Sequence, residues 1–282
     1  MDSDPEATAK VARVFDEIAE DYDQSGVRFF GPIAQGLVEQ LAPVPGEAVL
    51  DVGCGRGAAT FAAADRVGPA GSVLAVDIAP QMVELTRRRA RELRLPQVHA
   101  KTISADDLGV VDGSIDVLVS SLVLFFAPDP LATLGVWMRA LAPGGRIGLA
   151  TFGDAGAAWK RIDDLFRPFL PAALLDARTT GAEGPFATDQ GVENLLFAAG
   201  AQEVRTVVRP LRVLFDDAAQ WRRFSMSTGQ RAFWRFIPEG QHDELMAKAS
   251  ATLQDARDSE GHIALTQDIR YTLGLAPRHP AE

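Results

Sequence analysis

The chain has 282 residues, 47% of them hydrophobic, enough for one large α/β domain with insertions or for two small domains. It carries 38 acidic residues against 28 lysines and arginines, a net charge of −10, and so lacks the basic excess that a nucleic-acid binder shows. A single cysteine, Cys54, excludes an intrachain disulfide framework and any multi-cysteine metal site.

The N-terminus, Met1-Asp2-Ser3-Asp4, is acidic, and no apolar run reaches membrane-spanning length. This points to a soluble, cytoplasmic protein with no membrane partner. Val11, Phe15, Ile18, Ala19 and Tyr22 recur at helical spacing and predict an amphipathic helix over 11–23. A second helix is predicted over 33–41, and Pro43-Val44-Pro45-Gly46 marks a turn. Strands and helices then alternate: strands at 48–52, 72–76, 98–103, 115–121 and 146–152, and helices at 58–67, 80–93 and 131–141. That alternation implies parallel βαβ units. A helix at 190–199, a strand at 202–214 and a final strand at 263–275 complete the chain. Two long stretches, 153–187 and 214–262, interrupt the pattern and hold many of the aromatic residues. There is no internal repeat and no low-complexity segment.

The densest signal is Val49-Leu50-Asp51-Val52-Gly53-Cys54-Gly55-Arg56-Gly57. An apolar strand runs into an aspartate and then glycines at alternate positions, followed by a helix. Glycine lets backbone approach a ligand and adopts φ > 0 freely. Such a corner stands at the carboxyl end of a strand, where open α/β sheets bind nucleotide-like ligands. The spacing differs from the dinucleotide fingerprint G-x-G-x-x-G, whose helix N-terminus receives a pyrophosphate. Asp51 would repel a pyrophosphate and suit an ammonium. Cys54 reads as a small residue between two glycines. Further on, Val73-Leu74-Ala75-Val76-Asp77-Ile78 ends a strand on a carboxylate able to accept both hydroxyls of a ribose. Asp77 could alternatively stabilise the dipole of the helix that follows.

This pattern resembles the class I S-adenosylmethionine (SAM) methyltransferases. Further motifs carry the same resemblance: Ser104-Ala105-Asp106-Asp107-Leu108, Asp116-Val117-Leu118-Val119-Ser120-Ser121-Leu122, and Arg139-Ala140-Leu141-Ala142-Pro143-Gly144-Gly145. Phe15, Ala19, Tyr22 and Asp23 match the F-x-x-x-A-x-x-Y-D segment of small-molecule methyltransferases, most like the ubiquinone/menaquinone C-methyltransferase group and its natural-product relatives. The resemblance is strong over 11–152 and weaker over 188–212 and 263–275. It implies a Rossmann-like, mostly parallel seven-stranded sheet with helices on both faces. N-terminal lid helices (1–45) would precede a SAM-binding core (46–152). The stretches 153–187 and 214–262 would form a helical cap for the substrate, and 188–213 and 263–275 would complete the sheet.

SAM is the implied cofactor. Its binding set would be Asp51, Gly53, Cys54, Gly55, Gly57, Asp77, Ile78, Met82, Ser104, Ala105 and Ser120. The family's adenine-accepting aspartate is Ser104 here; either Ser104 accepts that hydrogen bond or Asp106 does so through a shifted loop. Met82 lies near the adenine or in the core. Asp116 reads as structural. In the family, the helix carrying Tyr22 folds over the cofactor; the alternative is a simple cover helix with Tyr22 as packing.

Methyl transfer from a sulfonium chiefly demands alignment of the acceptor behind the methyl group. A general base is needed only when the acceptor must lose a proton. The catalytic group is therefore not named by the sequence; Tyr22, His242 and His262 are the candidates, with Asp16, Asp23 and Asp154 as alternatives, and the two histidines read more readily as solvated surface. His99 sits in a strand and His279 in a proline-containing tail. The missing Asn-Pro-Pro-Tyr after the fourth strand argues against nucleic-acid amino groups as acceptors, and no cysteine pair exists for arsenic chemistry. Aromatics suggest a largely apolar small-molecule acceptor, with Tyr22, Phe125, Trp159, Trp221 and Phe224 as substrate-binding candidates. The expected activity is O- or N-methylation in natural-product, including antibiotic, biosynthesis. C-methylation, or a cyclase that keeps SAM as a structural ligand, are the alternatives. A monomer or homodimer is expected.

Overall fold

The computed structural model describes residues 5–171 and 184–278. Seven strands form one sheet: β1 (Ala48–Val52), β2 (Ser72–Asp77), β3 (Val98–Thr102), β4 (Ile115–Ser121), β5 (Leu141–Ala155), β6 (Gln202–Phe215) and β7 (Ile263–Leu275), in the order β3-β2-β1-β4-β5-β7-β6. The first five run parallel. β7 is antiparallel to both β5 and β6. β1 reads as a continuous apolar run broken by Asp51, as a strand covered on both faces must.

The helices are α1 (Pro5–Ile18), α2 (Phe30–Leu41), α3 (Ala58–Val67), α4 (Pro80–Glu92), α5 (Pro130–Ala140), α6 (Ala157–Phe166), α7 (Asp189–Ala198), α8 (Ala218–Met226), α9 (Arg231–Trp234) and α10 (His242–Gln254). Right-handed crossovers place α3 and α4 on one face of the sheet. α2 joins that face by packing on α3 and β5, while α5 and α7 pack together on the other face. Among the described residues no helix is long and apolar enough to cross a membrane.

The predicted elements form within about three residues of where the pattern put them, except at α1, which begins at Pro5 rather than near residue 11, and at β5. The helical periodicity running to Asp23 covers a helix that stops at Ile18: Asp21 and Tyr22 return their N–H groups to Ile18 O at 3.0 and 2.8 Å, and Asp23 takes a left-handed backbone, φ 57°. β5 also begins earlier and ends later than 146–152, because β7 pairs with it as far as Ala155. Pro143-Gly144-Gly145 is a kink inside this strand; Gly144 takes φ 77°, and a Cβ on Gly145 would meet Ala142 O at 2.9 Å. Asp116 is structural, accepting the Ala48 N–H at 2.8 Å and tying β4 to the start of β1.

The direction of β7 decides where the cap sits. The carboxyl end of β6 and the amino end of β7 both lie beyond the carboxyl ends of the parallel strands. The 214–262 insertion therefore emerges at that end of the sheet, as does the stretch after β5. Residues 172–183 of that stretch lie outside the described residues. Arg270 on β7, almost fully buried, pairs with Asp189 and donates to the carbonyls of Phe186 and Ala187 at 2.8 and 3.1 Å and to Phe152 O. It fastens the returning end of the first insertion beside the end of β5.

Asp51 is the one carboxylate inside β1, 1% exposed. The Thr60 hydroxyl of α3 donates to its Oδ2 at 2.5 Å, pinning β1 to that helix. Burial pushes its pKa up to about 7, against the Thr60 hydrogen bond that lowers it. The folded state therefore holds this proton more tightly than the unfolded chain. Its contribution to stability is full below the unfolded carboxylate range and is lost as pH rises through about 7. Between pH 8 and pH 5 the wild type should gain about 2–3 kcal/mol relative to Asp51→Asn. Urea unfolding of both proteins at the two pH values measures it; an unchanged difference would show that Asp51 stays ionised.

Candidate functional site

Strand order reverses between β1 and β4, the point at which an open α/β sheet opens a crevice. The glycine corner fills one side of it. Gly53 and Cys54 donate their N–H groups to Val76 O at 2.8 and 2.9 Å, so the corner leaves β1 fastened to β2. Gly53, Gly55 and Gly57 all have positive φ (74°, 53° and 89°). A Cβ on Gly53 would strike the Val123 side chain at 2.2 Å, and one on Gly57 would strike Phe61 at 2.4 Å. Those two glycines are required by packing alone. A Cβ on Gly55 would meet only Tyr22, at 4.0 Å. Gly55 thus faces open space, which suits close approach of a ligand.

Asp77 closes the corner. Its Oδ2 accepts the Gly55 N–H at 2.8 Å and its Oδ1 the Ala79 N–H at 2.9 Å. Burial raises its pKa, opposed by the N–H groups of Ala79, Gly55 and Ile78. Thr86 donates to Gly55 O at 2.8 Å, holding the corner from α4.

The cleft here is lined by Gly53, Gly55, Asp77, Ile78, Met82, Ser104, Ala105 and Tyr22, which the sequence singled out. Asp106, the alternative to Ser104, lines it too. Asp51, Cys54, Gly57 and Ser120 stand behind that wall. Cys54 is buried, which raises its thiol pKa well above the usual range, and the Ser120 hydroxyl donates to Val52 O at 3.1 Å. The rest of the wall comprises Phe15 of the N-terminal segment, Ser121 and Leu122 of the motif at the end of β4, and residues that sequence reasoning missed: Val11, Ile103, Val123, Leu124, Phe126 to Pro128, Thr133 and Trp137. After Ser121 the chain bends, and Leu122 adopts φ 62°, a strained backbone for leucine.

Among the described residues two carboxylates and no basic side chain line the cleft. This electrostatics fits a cationic ligand and opposes a pyrophosphate. A diol acceptor at Asp77, a side-chain-free approach at Gly55 and apolar walls at Ile78 and Met82 together fit the nucleoside and amino-acid parts of SAM. The cleft encloses about 120 Å³, below the ~300–1,000 Å³ of ligand pockets in general. Tyr22 accounts for much of the closure: its ring stacks on Phe30 at 4.5 Å and lies over Gly55. Burial, then Asp23 and Asp77, raise its phenol pKa well above 10.

The segment 16–25 is held from both sides. Arg56, within the glycine corner, donates to the carbonyls of Ala19 and Glu20 at 2.8 and 2.7 Å. Asp16 accepts the Gln81 N–H at 2.9 Å in the first turn of α4. From the cap, Arg235 pairs with Glu17, and Gln220 donates to Ser25 O at 3.3 Å.

The other aromatic candidates are packed. Phe29 links the lid to the cap, with ring centroids 5.9 Å from Trp159 and 5.3 Å from Phe224. Phe125 lies 5.7 Å from Phe152, which stacks on Phe29 at 6.2 Å. Trp221 packs against Trp234 inside the cap. His242 bonds Ile237 O at 3.1 Å beside Trp234, and His262 stands in the turn before β7 near Glu260. Neither lines the cleft. His99 is exposed on the edge strand β3, and His279 lies outside the described residues. The cap contributes one carboxylate the sequence did not flag: Asp163, on the inward face of α6, is bonded by Gln230 at 3.1 Å and driven to a pKa of about 7 by burial.

A methyltransferase-domain family model matches residues 43–173. The nocamycin O-methyltransferase of Saccharothrix syringae is 34% identical over 279 residues, covering 93% of this chain and 96% of that protein. The aklanonic acid methyltransferase DauC of Streptomyces sp. strain C5 is 37% identical over 167 residues, covering 59% of this chain and 76% of that protein. Among solved structures, the YcgJ protein of Bacillus subtilis shares the fold, with a TM-score of 0.59 at 17% identity over 87% of this chain and 99% of that one. A likeness running the length of the chain, with a glycine corner and an acidic cleft at the switch point of the sheet, makes this protein a member of the class I SAM-dependent methyltransferase family and an enzyme of that kind.

Proposed function

We propose that the enzyme methylates an oxygen atom of a small, largely apolar molecule in natural-product biosynthesis. The observation that carries this reading is the extent of the likeness to the nocamycin O-methyltransferase. It spans 93% of the chain and so runs through the cap insertions as well as the core. The cap is the part that meets the acceptor, so likeness there bears on acceptor chemistry.

In this reading the Asp77 carboxylate holds the ribose hydroxyls, and the backbone at Gly53 and Gly55 lies along the methionine part. Ile78 and Met82 flank the adenine. When bound, SAM supplies an electrophilic methyl group on a sulfonium. Asp77 and Asp106 offset that positive charge in the cleft. Tyr22, Phe30 and Phe29 form a ring-to-ring path from Gly55 to Trp159 and Phe224 in the cap. These rings exclude water and orient an apolar acceptor.

The proton requirement narrows the acceptor. Among the described residues no histidine lines the cleft, and Tyr22 is held protonated. An acceptor oxygen that is itself acidic, a carboxylic acid, enol or phenol, needs little help to ionise. Such acceptors suit this site better than aliphatic alcohols.

Label transfer from methyl-labelled SAM to a panel of carboxylic acids, enols, phenols and amines tests this. Labelled esters or ethers are expected. Label found only on nitrogen or carbon would overturn the oxygen assignment, and an unlabelled rearranged product would favour the cyclase reading.

Gly55 provides a direct test of cofactor placement. Gly55→Val should abolish SAM binding by calorimetry while the circular dichroism stays native-like, since the residue meets only Tyr22 and its φ strain costs about 1–2 kcal/mol. Normal affinity in a folded variant would move the cofactor elsewhere. The lid makes a separate prediction: Tyr22 over Gly55 must move to admit the methionine part and then settle on it. Hydrogen exchange over residues 11–23 should slow when S-adenosylhomocysteine is added, and equal exchange with and without it would reduce the segment to packing.

A further inference from the structure

The outer end of the sheet at β3 is built unlike the rest of the surface. The crossover from β3 to β4 carries no helix, and the face of β2 and β3 opposite α4 stays open. Val73 and Ala75 are buried on the α4 side, while Leu74 between them is left half-exposed beside His99, its partner in register. A strand at the end of a sheet invites another strand, yet β3 is blunted against one. Val98 returns its N–H to Leu95 O at 3.2 Å, and Arg87 donates its Nε–H to Ala100 O at 2.8 Å. What this edge offers is side chains.

A groove of about 1080 Å³ runs along it. Arg87, Arg91 and Arg94 line its α4 side, and His99 and Lys101 its open side. Leu74, Leu95 and Pro96 supply apolar surface. Among the described residues no carboxylate lines the groove. Glu84 alone faces both Arg87 and Arg91, at 3.8 and 3.0 Å, so one anion is set against two guanidiniums. Arg94 and Lys101 have no ion-pair partner among the described residues. All this stands in a chain of net charge −10.

Cations at the end of a helix favour its dipole, which accounts for Arg89 and Arg91. It accounts neither for Lys101 on the strand nor for the backbone of Arg94. That residue closes α4 in a Schellman turn: its N–H goes to Arg91 O and the Leu95 N–H to Ala90 O, both at 3.0 Å, with Arg94 itself left-handed at φ 56°. Glycine is the usual residue at that position. An arginine there carries backbone strain and sets a cation beside the groove.

We propose that the β3 edge is a docking surface for an acidic amphipathic helix of another protein. The helix lays its apolar face on Leu74, Leu95 and Pro96 and turns its carboxylates to the cations on either side. A second copy pairing β3 with β3 is opposed by the blunted edge and by like charges brought together. Among the described residues no aromatic ring lines the groove to stack a nucleic-acid base. No residue lines both this groove and the cofactor cleft, so the inference stands apart from the cofactor placement.

Fluorescence anisotropy on the full chain tests it, with a labelled helical peptide of about 18 residues, long enough to hold a helix, built from leucine on one face and glutamate on the other. Binding is expected, and it should weaken at least about tenfold between about 0.1 M and about 1 M salt, as the Debye length falls from about 10 Å to about 3 Å. Arg94→Glu with Lys101→Glu should weaken it at least about tenfold, while Arg94→Lys with Lys101→Arg should keep the wild-type affinity. Lys101→Gln, with a loss of about threefold, carries the test if the charge reversal disturbs the circular dichroism. Arg205→Glu, at an exposed position on the opposite edge strand β6, should change the affinity less than about twofold. The proposal is overturned if the acidic peptide does not bind, if its lysine counterpart binds as well, or if folded groove variants bind like the wild type. Equal loss in Arg205→Glu would reduce the effect to overall charge and overturn it too. Tighter binding of an oligouridylate at the same salt would give the groove to nucleic acid, and self-association abolished by the charge reversal would give it to a second copy; either result overturns the proposal.

Discussion

The carboxylate of Asp77 is the contact on which the site depends. It joins the end of β2 to the glycine corner through Gly55 and to the start of α4 through Ala79. One buried anion thereby sets the shape of the turn and the sign of the cleft. Its hydrogen bonds from backbone N–H groups favour the ionised form against burial. The corner also reaches outward through Arg56, which holds the carbonyls at the end of the lid. The cofactor wall and its cover are therefore fastened to the same few residues.

The two insertions are organised differently. They lie at one end of the sheet, brought together by the reversed direction of β7 rather than by nearness in sequence. Arg270 anchors the first insertion, and the β6–β7 ladder carries the second. The cap touches the lid through Arg235 with Glu17 and through Gln220 with Ser25. The insertions can thus vary while the wall of the cleft stays as it is.

Much of this was legible in the sequence because it rests on local rules. Glycine spacing, a carboxylate ending an apolar strand, and alternating strand and helix patterns all report short-range geometry, and the sheet follows from them. What was not legible depends on long-range packing. Asp51 and Ser120 read as ligand contacts, yet their side chains are spent on Thr60 and Val52 behind the wall. Helical spacing gave Phe15 and Tyr22 a common face but not the early end of α1, which the Ile18 carbonyl decides. Thr133 and Trp137 sit in an ordinary amphipathic helix. Only the fold brings them against the loop after β3.

The long ladder between β6 and β7 has a consequence for how the chain is made. Beyond a register shift after Gln202, its two strands pair residue for residue from Arg205 with Leu273 to Phe215 with Ile263, although the whole second insertion lies between them. A hairpin with so wide a loop gains nothing from nucleation at a tight turn, and contacts between distant residues are slow to form. Widening a loop adds only modestly to the equilibrium cost of closing it. The burden therefore falls on the folding rate rather than on final stability. Until β7, which follows the whole second insertion, has been made and docks, the edge of β5 is unpaired.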